Sequence, residues 1–245
     1  MRKTVFLSIG ISMLLLTGCG VKNVSITADK AKTNEIIVSS NKNAQTVIKE
    51  SFNKKYYKEK ELKSFINDDI KSFNKDNGTS VKLNSMKVKE GNVYVVIDYT
   101  SIDEMNNYNT DTKLSQLSAS KAKKSDLVPS KLNKFGKKTK VKKSAALKKA
   151  GYKVVILEKR EIITESTLEP TVTETPAESD NPASSGEPTA TPEPSVTPTE
   201  VPKTTKVNLQ LTVAGKIKYA SNATKVDKNT AKIKTLDEPV VIVYK

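Results

Sequence analysis

Residues 162–204 divide this chain into two unequal pieces, and what the chain can fold into depends on how that division is read. Eight of the ten prolines fall there, and Thr, Ser and Glu fill most other places. Thr175-Pro176, Thr191-Pro192 and Thr197-Pro198 alternate with Glu169-Pro170, Glu187-Pro188 and Glu193-Pro194. From Glu161 to Pro202 there are nine acidic residues and no basic one. Such a stretch buries too little apolar surface to offset its ordering entropy, so it is expected to be disordered or polyproline-like. The residues after it, 205–245, are too few to fold alone, because about 40 residues without metal or disulfide rarely do. Closing a loop of about 40 residues instead of 5 costs only about 1.8 kcal/mol. The expectation is one domain, built from 35–161 and 205–245 and interrupted by the 162–204 insertion.

Both pieces carry strand patterns. Val207, Leu209, Leu211 and Val213 alternate with polar residues, and further strands are predicted at Lys216–Tyr219, Lys225–Lys234 and Pro239–Tyr244. Val240-Val241-Ile242-Val243 is apolar on both faces, as in a central strand covered on both sides, and Tyr152–Glu158 is a second candidate of that kind. Glu35–Val38 and Gln45–Glu50 flank the turn formers Ser40-Asn41-Lys42-Asn43. Ser80–Lys89 and Asn92–Thr100 flank Glu90-Gly91, with Val93, Val95, Ile97 and Tyr99 on one face. Leu62, Phe65, Ile66, Asp69, Ile70 and Phe73 follow helical spacing and predict an amphipathic helix over 58–75, its stripe broken by Asp69 and its end marked by Asn77-Gly78. Ser101-Ile102-Asp103-Glu104 is a capping box that opens a short helix to about Tyr108. Without a regular βαβ rhythm, the fold class is α+β: a mixed or mainly antiparallel sheet with a few amphipathic helices.

At the N-terminus, Arg2 and Lys3 precede an apolar run from Thr4 to Leu16. That run has signal-peptide length and falls short of the about 20 residues a spanning helix needs. It ends in Leu16-Thr17-Gly18-Cys19, which resembles the lipobox of bacterial lipoproteins. The resemblance implies diacylglycerol transfer to the Cys19 thiol, cleavage before it and acylation of the new N-terminus. The mature chain would then be anchored on the extracytoplasmic face of the cell membrane, with 19–34 as its tether. Tyr56-Tyr57-Lys58-Glu59-Lys60-Glu61-Leu62-Lys63 and Gly215-Lys216-Ile217-Lys218-Tyr219-Ala220-Ser221 are similar to segments of small surface lipoproteins of anaerobic Gram-positive bacteria. In such proteins a strand like Tyr152–Glu158 runs almost directly into one like Val207–Val213, which fits the insertion reading. The resemblance carries no known catalytic residues, and Lys58 departs from it by standing where a capping acid is expected.

Composition removes several function classes. Cys19 is the sole cysteine and histidine is absent, so Ser-His-Asp and Cys-His catalysis are excluded. Zinc would have carboxylates alone. Without Trp, and with aromatics at 5%, the chain is a poor source of sugar-stacking platforms. Of the 42 basic residues 40 are lysines, whereas readers of nucleic acid favour the planar arginine fork; no nucleic-acid partner is expected.

The remaining motifs have bland readings. Ser-x-x-Lys pairs at Ser39/Lys42, Ser51/Lys54, Ser72/Lys75, Ser118/Lys121 and Ser120/Lys123 match chance in a lysine-rich chain and lack the companion motifs of penicillin-interacting enzymes. Asp68-Asp69 and Asp103-Glu104 are helix neighbours whose side chains diverge by about 100°. Asn107-x-Asn109-x-Asp111 lacks the Gly and terminal Glu of a calcium loop. The sequons at Asn23, Asn77 and Asn222 are set aside because the lipobox points to a bacterium. No catalytic residue, metal ligand or cofactor is expected.

One charge feature stands out. Lys121–Lys153 holds 13 lysines and a single acid, Asp126, and is densest at Lys137, Lys138, Lys140, Lys142 and Lys143. These positions are expected to be exposed. They read either as a solvated surface or as a contact for anionic lipid headgroups or wall polymers, at about 1 kcal/mol per lysine beside a negative membrane. The chain as a whole reads as a lipid-anchored, non-catalytic binding or structural module at the cell surface. The alternatives are a wall-directed enzyme working through carboxylates and a ligand-capturing lipoprotein of a transporter.

Overall fold

The computed structural model describes residues 25–39, 41–160 and 206–245. The lipobox with Cys19, and the 162–204 insertion, lie outside the described residues. In chain order the elements are β1 (Asn34–Val38), β2 (Ala44–Ser51), α1 (Glu59–Asn77), β3 (Lys82–Lys89), β4 (Asn92–Tyr99), α2 (Ile102–Tyr108), β5 (Thr112–Ser118), α3 (Ala119–Lys124), β6 (Lys131–Lys134), β7 (Lys140–Lys142), α4 (Lys143–Ala146), β8 (Lys153–Lys159), β9 (Lys206–Val213), β10 (Ile217–Ser221), β11 (Ala223–Lys225), β12 (Thr230–Thr235) and β13 (Val240–Tyr244). They form two sheets, in the orders β11-β12-β9-β1-β2-β4-β3 and β5-β8-β13-β10-β6-β7. All strand pairs are antiparallel except β1 with β9. The fold is α+β, as the sequence pattern predicts.

Residues 206–245 supply strands to both sheets. In the first, β9 lies between β1 and β12, with Leu211 opposite both Ile36 and Ala231. In the second, β13 lies between β8 and β10, with Ile242 opposite Val155 and Ala220. The strands on either side of the insertion, β8 and β9, therefore belong to different sheets. The expected strand Lys225–Lys234 is instead a hairpin of β11 and β12. Its turn is set by Asp227, whose carboxylate accepts the backbone N–H of Asn229 and Thr230, an alternative the polar side chain offers to the ladder.

The inner faces of the sheets share one core. Val95, Ile97, Leu211 and Val213 of the first meet Leu114, Val155, Leu157 and Ile242 of the second. The outer face of the second sheet is apolar too: Val154, Ile156, Val241 and Val243 lie under Ala122, Val128, Leu132, Ala146 and Leu147. That double cover is why β8 and β13 are apolar at every central position. On the outer face of the first sheet, Val47, Tyr94 and Val96 pack against Ile26, Ala28 and Ala31. The N–H of Ile26 donates to Gln45 Oε1, and Lys89 Nζ donates to the carbonyls of Asp29 and Ala31. The stretch 19–34, expected as a tether, is from Ile26 onward part of the folded structure.

Two asparagines act as short pieces of strand. Buried Asn106 donates to the carbonyl and accepts from the N–H of Leu114, both at 2.8 Å, capping the outer edge of β5 with a peptide-like pair. Asn74 does the same to Val81, at 2.8 and 2.9 Å, and also accepts from the Thr79 hydroxyl. The second clamp fastens the C-terminal end of α1.

Candidate functional site

Helix α1 follows the predicted stripe and stops at Gly78, whose positive φ of 63° suits a residue without Cβ. The stripe is not uniformly seated. In its C-terminal half Ile70 is buried, Phe73 packs on the core and Asn74 holds the following strand. In its N-terminal half Leu62 and Ile66 are half-buried and pack on the core as Phe73 does, while Phe65 is 70% exposed. Lys58, at the N-cap, makes no side-chain capping bond. The helix is fastened at its C-terminal end by Asn74, and Phe65 is the apolar residue of the stripe that it leaves in the open.

Beside the N-terminal half of α1 lies a cleft of about 530 Å³. Its floor is the inward face of β4 (Val93, Val95 and Ile97), and Ile48 of β2 lies beside it, 39% exposed although it points inward. Five of the thirteen aromatic residues of this aromatic-poor chain line it: Phe52, Tyr56, Tyr57, Phe65 and Tyr108. Phe52 and Tyr56 both pack on the Tyr57 ring, with centroids 5.1 and 4.9 Å away. Tyr108 stands edge-on to Phe73 at 5.0 Å. Its hydroxyl donates to Asp69 at 2.6 Å, and burial, reinforced by that neighbouring carboxylate, pushes the hydroxyl well above the ordinary tyrosine range. The polar break in the helical stripe thus has a partner. The rest of the polar lining is Glu50, Ser51, Lys58 and Glu61, with Lys58 and Glu61 joined at 2.7 Å in an exposed pair. Volume and lining match those of small-molecule sites, which are concave, mostly apolar and fixed by a few polar groups.

Of the motifs singled out from sequence, Ser51 and Asp69 fall in the cleft lining, and most others are bonded to groups elsewhere. Ser39 donates to Asn41 and to the Asn43 carbonyl within a turn, Ser72 donates to Asp76, and Ser118 caps α3 by accepting the Lys121 N–H. Asp68 accepts from Ser64, one turn away on the same helix. Ser101 and Glu104 form the cap: Ser101 Oγ accepts the Glu104 N–H, while Glu104 accepts from the N–H groups of Thr100 and Ser80. Those bonds hold the Glu104 carboxyl below its usual value, against the opposing effect of burial. Asn109 accepts the Asp111 N–H in a local turn. Among the described residues no group of three or more acids could hold a metal ion.

Of the lysines singled out, Lys137, Lys138, Lys140 and Lys142 are exposed on β7 and the preceding turn. Lys143 departs from that expectation. It is half-buried at the start of α4, and its Nζ donates to the Ser125 carbonyl at 2.6 Å. Lys123, Lys131, Lys142 and Lys143 border one shallow depression, where Lys131 and Lys142 stand directly opposite each other across β6 and β7.

The cleft aromatics were not anticipated as a site. The available signal was three rings in six residues, Phe52, Tyr56 and Tyr57, just before an amphipathic helix in a chain otherwise short of aromatics. No family model, no curated protein and no solved structure matches this chain. Its function has to be argued from the site itself.

Proposed function

We propose that this chain is a membrane-anchored extracytoplasmic lipoprotein, acylated at Cys19, which acts as a non-catalytic binding module at the cell surface and takes an apolar ligand in the cleft beside α1. The cleft carries the binding half of this reading. Burying apolar surface contributes about 25 cal/mol per Å², so a bound apolar body that covers the exposed Ile48, Tyr56, Tyr57 and Phe65 would be stabilised by that burial. Exposed aromatic rings around an apolar floor are the usual form of such an interaction site.

The anchoring half rests on the charged start, the apolar run and the lipobox-like Leu16-Thr17-Gly18-Cys19. Because packing begins at Ile26, the residues between Cys19 and the fold reach about 20 Å at full extension. The outer face of the first sheet would therefore ride close to the bilayer. The chain is read as one domain carrying 162–204 as an insertion, since β9 and β13 lie inside sheets begun by the earlier residues.

A second contact is favoured by the lysines. Like charges directly opposite across a strand pair are unfavourable, and an anionic headgroup or wall polymer seated at Lys131 and Lys142, beside Lys137, Lys138 and Lys140, would relieve them.

The test uses the mature chain with Cys19→Ser, titrated calorimetrically with dodecyl maltoside below its micelle threshold. One molecule should bind per chain, and Phe65→Ser should weaken binding roughly tenfold, the loss of one well-buried aromatic contact. Absence of saturable binding would sink the cleft reading. In cells, Cys19→Ser should remove the protein from the membrane fraction or leave it unprocessed; normal fractionation with continued fatty-acid labelling would sink the anchor.

A further inference from the structure

We infer that the cleft selects an amphiphile with a cationic head, against the charge of the chain as a whole. This rests on the cleft being a ligand site. The chain carries a formal net charge of +15, so a surface governed by overall charge would gather anions. The cleft reverses that sign. Three carboxylates line it, Glu50, Glu61 and Asp69, against one ammonium, Lys58, which pairs with Glu61 at 2.7 Å, so two negative charges remain in excess.

The positions of the acids favour a head-and-body arrangement. Glu50 lies on β2 two residues beyond Ile48, hence on the same inward-pointing row, where apolar floor gives way to solvent. Glu61 lies in the first turn of α1, one turn before Phe65. Both acids sit beside low-dielectric walls, where a charge acts more strongly than in open water. The same lining holds Phe52, Tyr56 and Tyr57, whose ring faces attract a cation and pack against methyl or methylene groups. An apolar body therefore finds Val93, Val95 and Ile97, while a quaternary or primary ammonium finds ring faces and carboxylates. A sulfate or phosphate head would meet the same carboxylates as like charges. The apolar volume of about 530 Å³ lies within the range of single small-ligand sites.

The experiment holds the body constant and changes the head. The mature chain with Cys19→Ser is titrated with dodecyltrimethylammonium, dodecyl maltoside and dodecyl sulfate, each below its micelle threshold. Competition against bound dodecyl maltoside confines the reading to the cleft and leaves out the surface lysines. Dodecyltrimethylammonium should bind roughly tenfold more tightly than the maltoside, the scale of one desolvated cation–ring or cation–carboxylate contact, and the sulfate should bind most weakly. The double variant Glu50→Gln, Glu61→Gln should bring the three affinities together. Both positions are exposed, so the variant keeps its fold. Tightest binding by the sulfate, equal binding of all three by the unsubstituted acids, or a preference that survives the double substitution would overturn the cationic selection while leaving an apolar site intact. Failure of all three probes to bind would overturn the cleft as well.

Discussion

The two sheets of this protein solve the same burial problem in opposite ways. In the second, β8 and β13 are apolar at every central position, and every one of those positions is covered, by the first sheet on one side and by the 119–147 segment on the other. In the first, the inward row of β4 is equally apolar, but beside its cover, α1, a cleft remains, and Phe65 of the helical stripe is left exposed. Apolar pattern and burial agree where the chain is building its framework. They part company at the cleft, where Phe65 and Ile48 stay exposed, and the proposed ligand site rests on that departure.

If the second sheet is framework, removing its central strand should have the largest effect available. A chain ending at Glu161 loses β9 to β13 together, leaving β8 without β13 and β1 without β9. It should show no cooperative melt. Replacing 165–202 by a short Gly/Ser loop keeps both strands and should leave the melting temperature unchanged or slightly higher, because a shorter loop costs less to close. A cooperative melt of residues 19–161 like that of the whole mature chain would break the comparison, since the two sheets would then not depend on the C-terminal strands.

Single substitutions sharpen it. Ile242, fully buried in the shared core, should cost about 2–5 kcal/mol as Ile242→Ala, from lost transfer energy and the cavity left behind. Phe65→Ser, at a larger and equally apolar residue on the open cleft, should change stability by no more than about 0.5 kcal/mol, the usual range for surface positions. Chemical denaturation of both variants measures the contrast. A loss at Phe65 comparable to that at Ile242 would mean that α1 closes onto the sheet in solution and that the cleft is core.

The framework was legible because its residues repeat at the periods of their elements. Val93, Val95, Ile97 and Tyr99 alternate along β4, and Val240 to Val243 form an unbroken apolar run. Where a side chain competes with the backbone the pattern misleads, as at Asp227, which turns the expected Lys225–Lys234 strand into a hairpin. Asp69 looked like a fault in the helical stripe because its partner, Tyr108, lies 39 residues away. The cleft itself was not legible. The stripe from Leu62 to Phe73 predicts that α1 has a buried face, but Asn74 clamping Val81, and Phe65 left exposed beside the cleft, are features no periodicity encodes.

The smallest expected effect lies on the outer face of the first sheet, where the contrast with the second is chemical. In the second sheet β8 and β13 present Val154, Ile156, Val241 and Val243 to their cover, whereas the first places Glu35 of β1 beside Thr212 of β9, with Thr212 bonded in turn to Thr230. Burial pushes the Glu35 carboxyl above its usual value; the hydrogen bond from Thr212 opposes that shift and the charge of Asp227 adds to it. A carboxyl whose folded-state value is raised favours the fold when protonated. Its contribution is complete below the unfolded value of about 4.3 and is lost as pH rises through the folded value, so the ionised form is a burden at neutral pH. Glu35→Gln removes the charge yet keeps an oxygen to accept from Thr212. It should raise the melting temperature at pH 7, at about 2–4 °C for each kcal/mol recovered in a domain of this size, and should change it little at pH 3.5. Thermal melts of both proteins across pH 3.5 to 7 measure the difference. If Glu35→Gln instead lowers the melting temperature at pH 7, the ionised carboxylate is being stabilised in place, and the outer face of the first sheet is organised around a charge and not around burial.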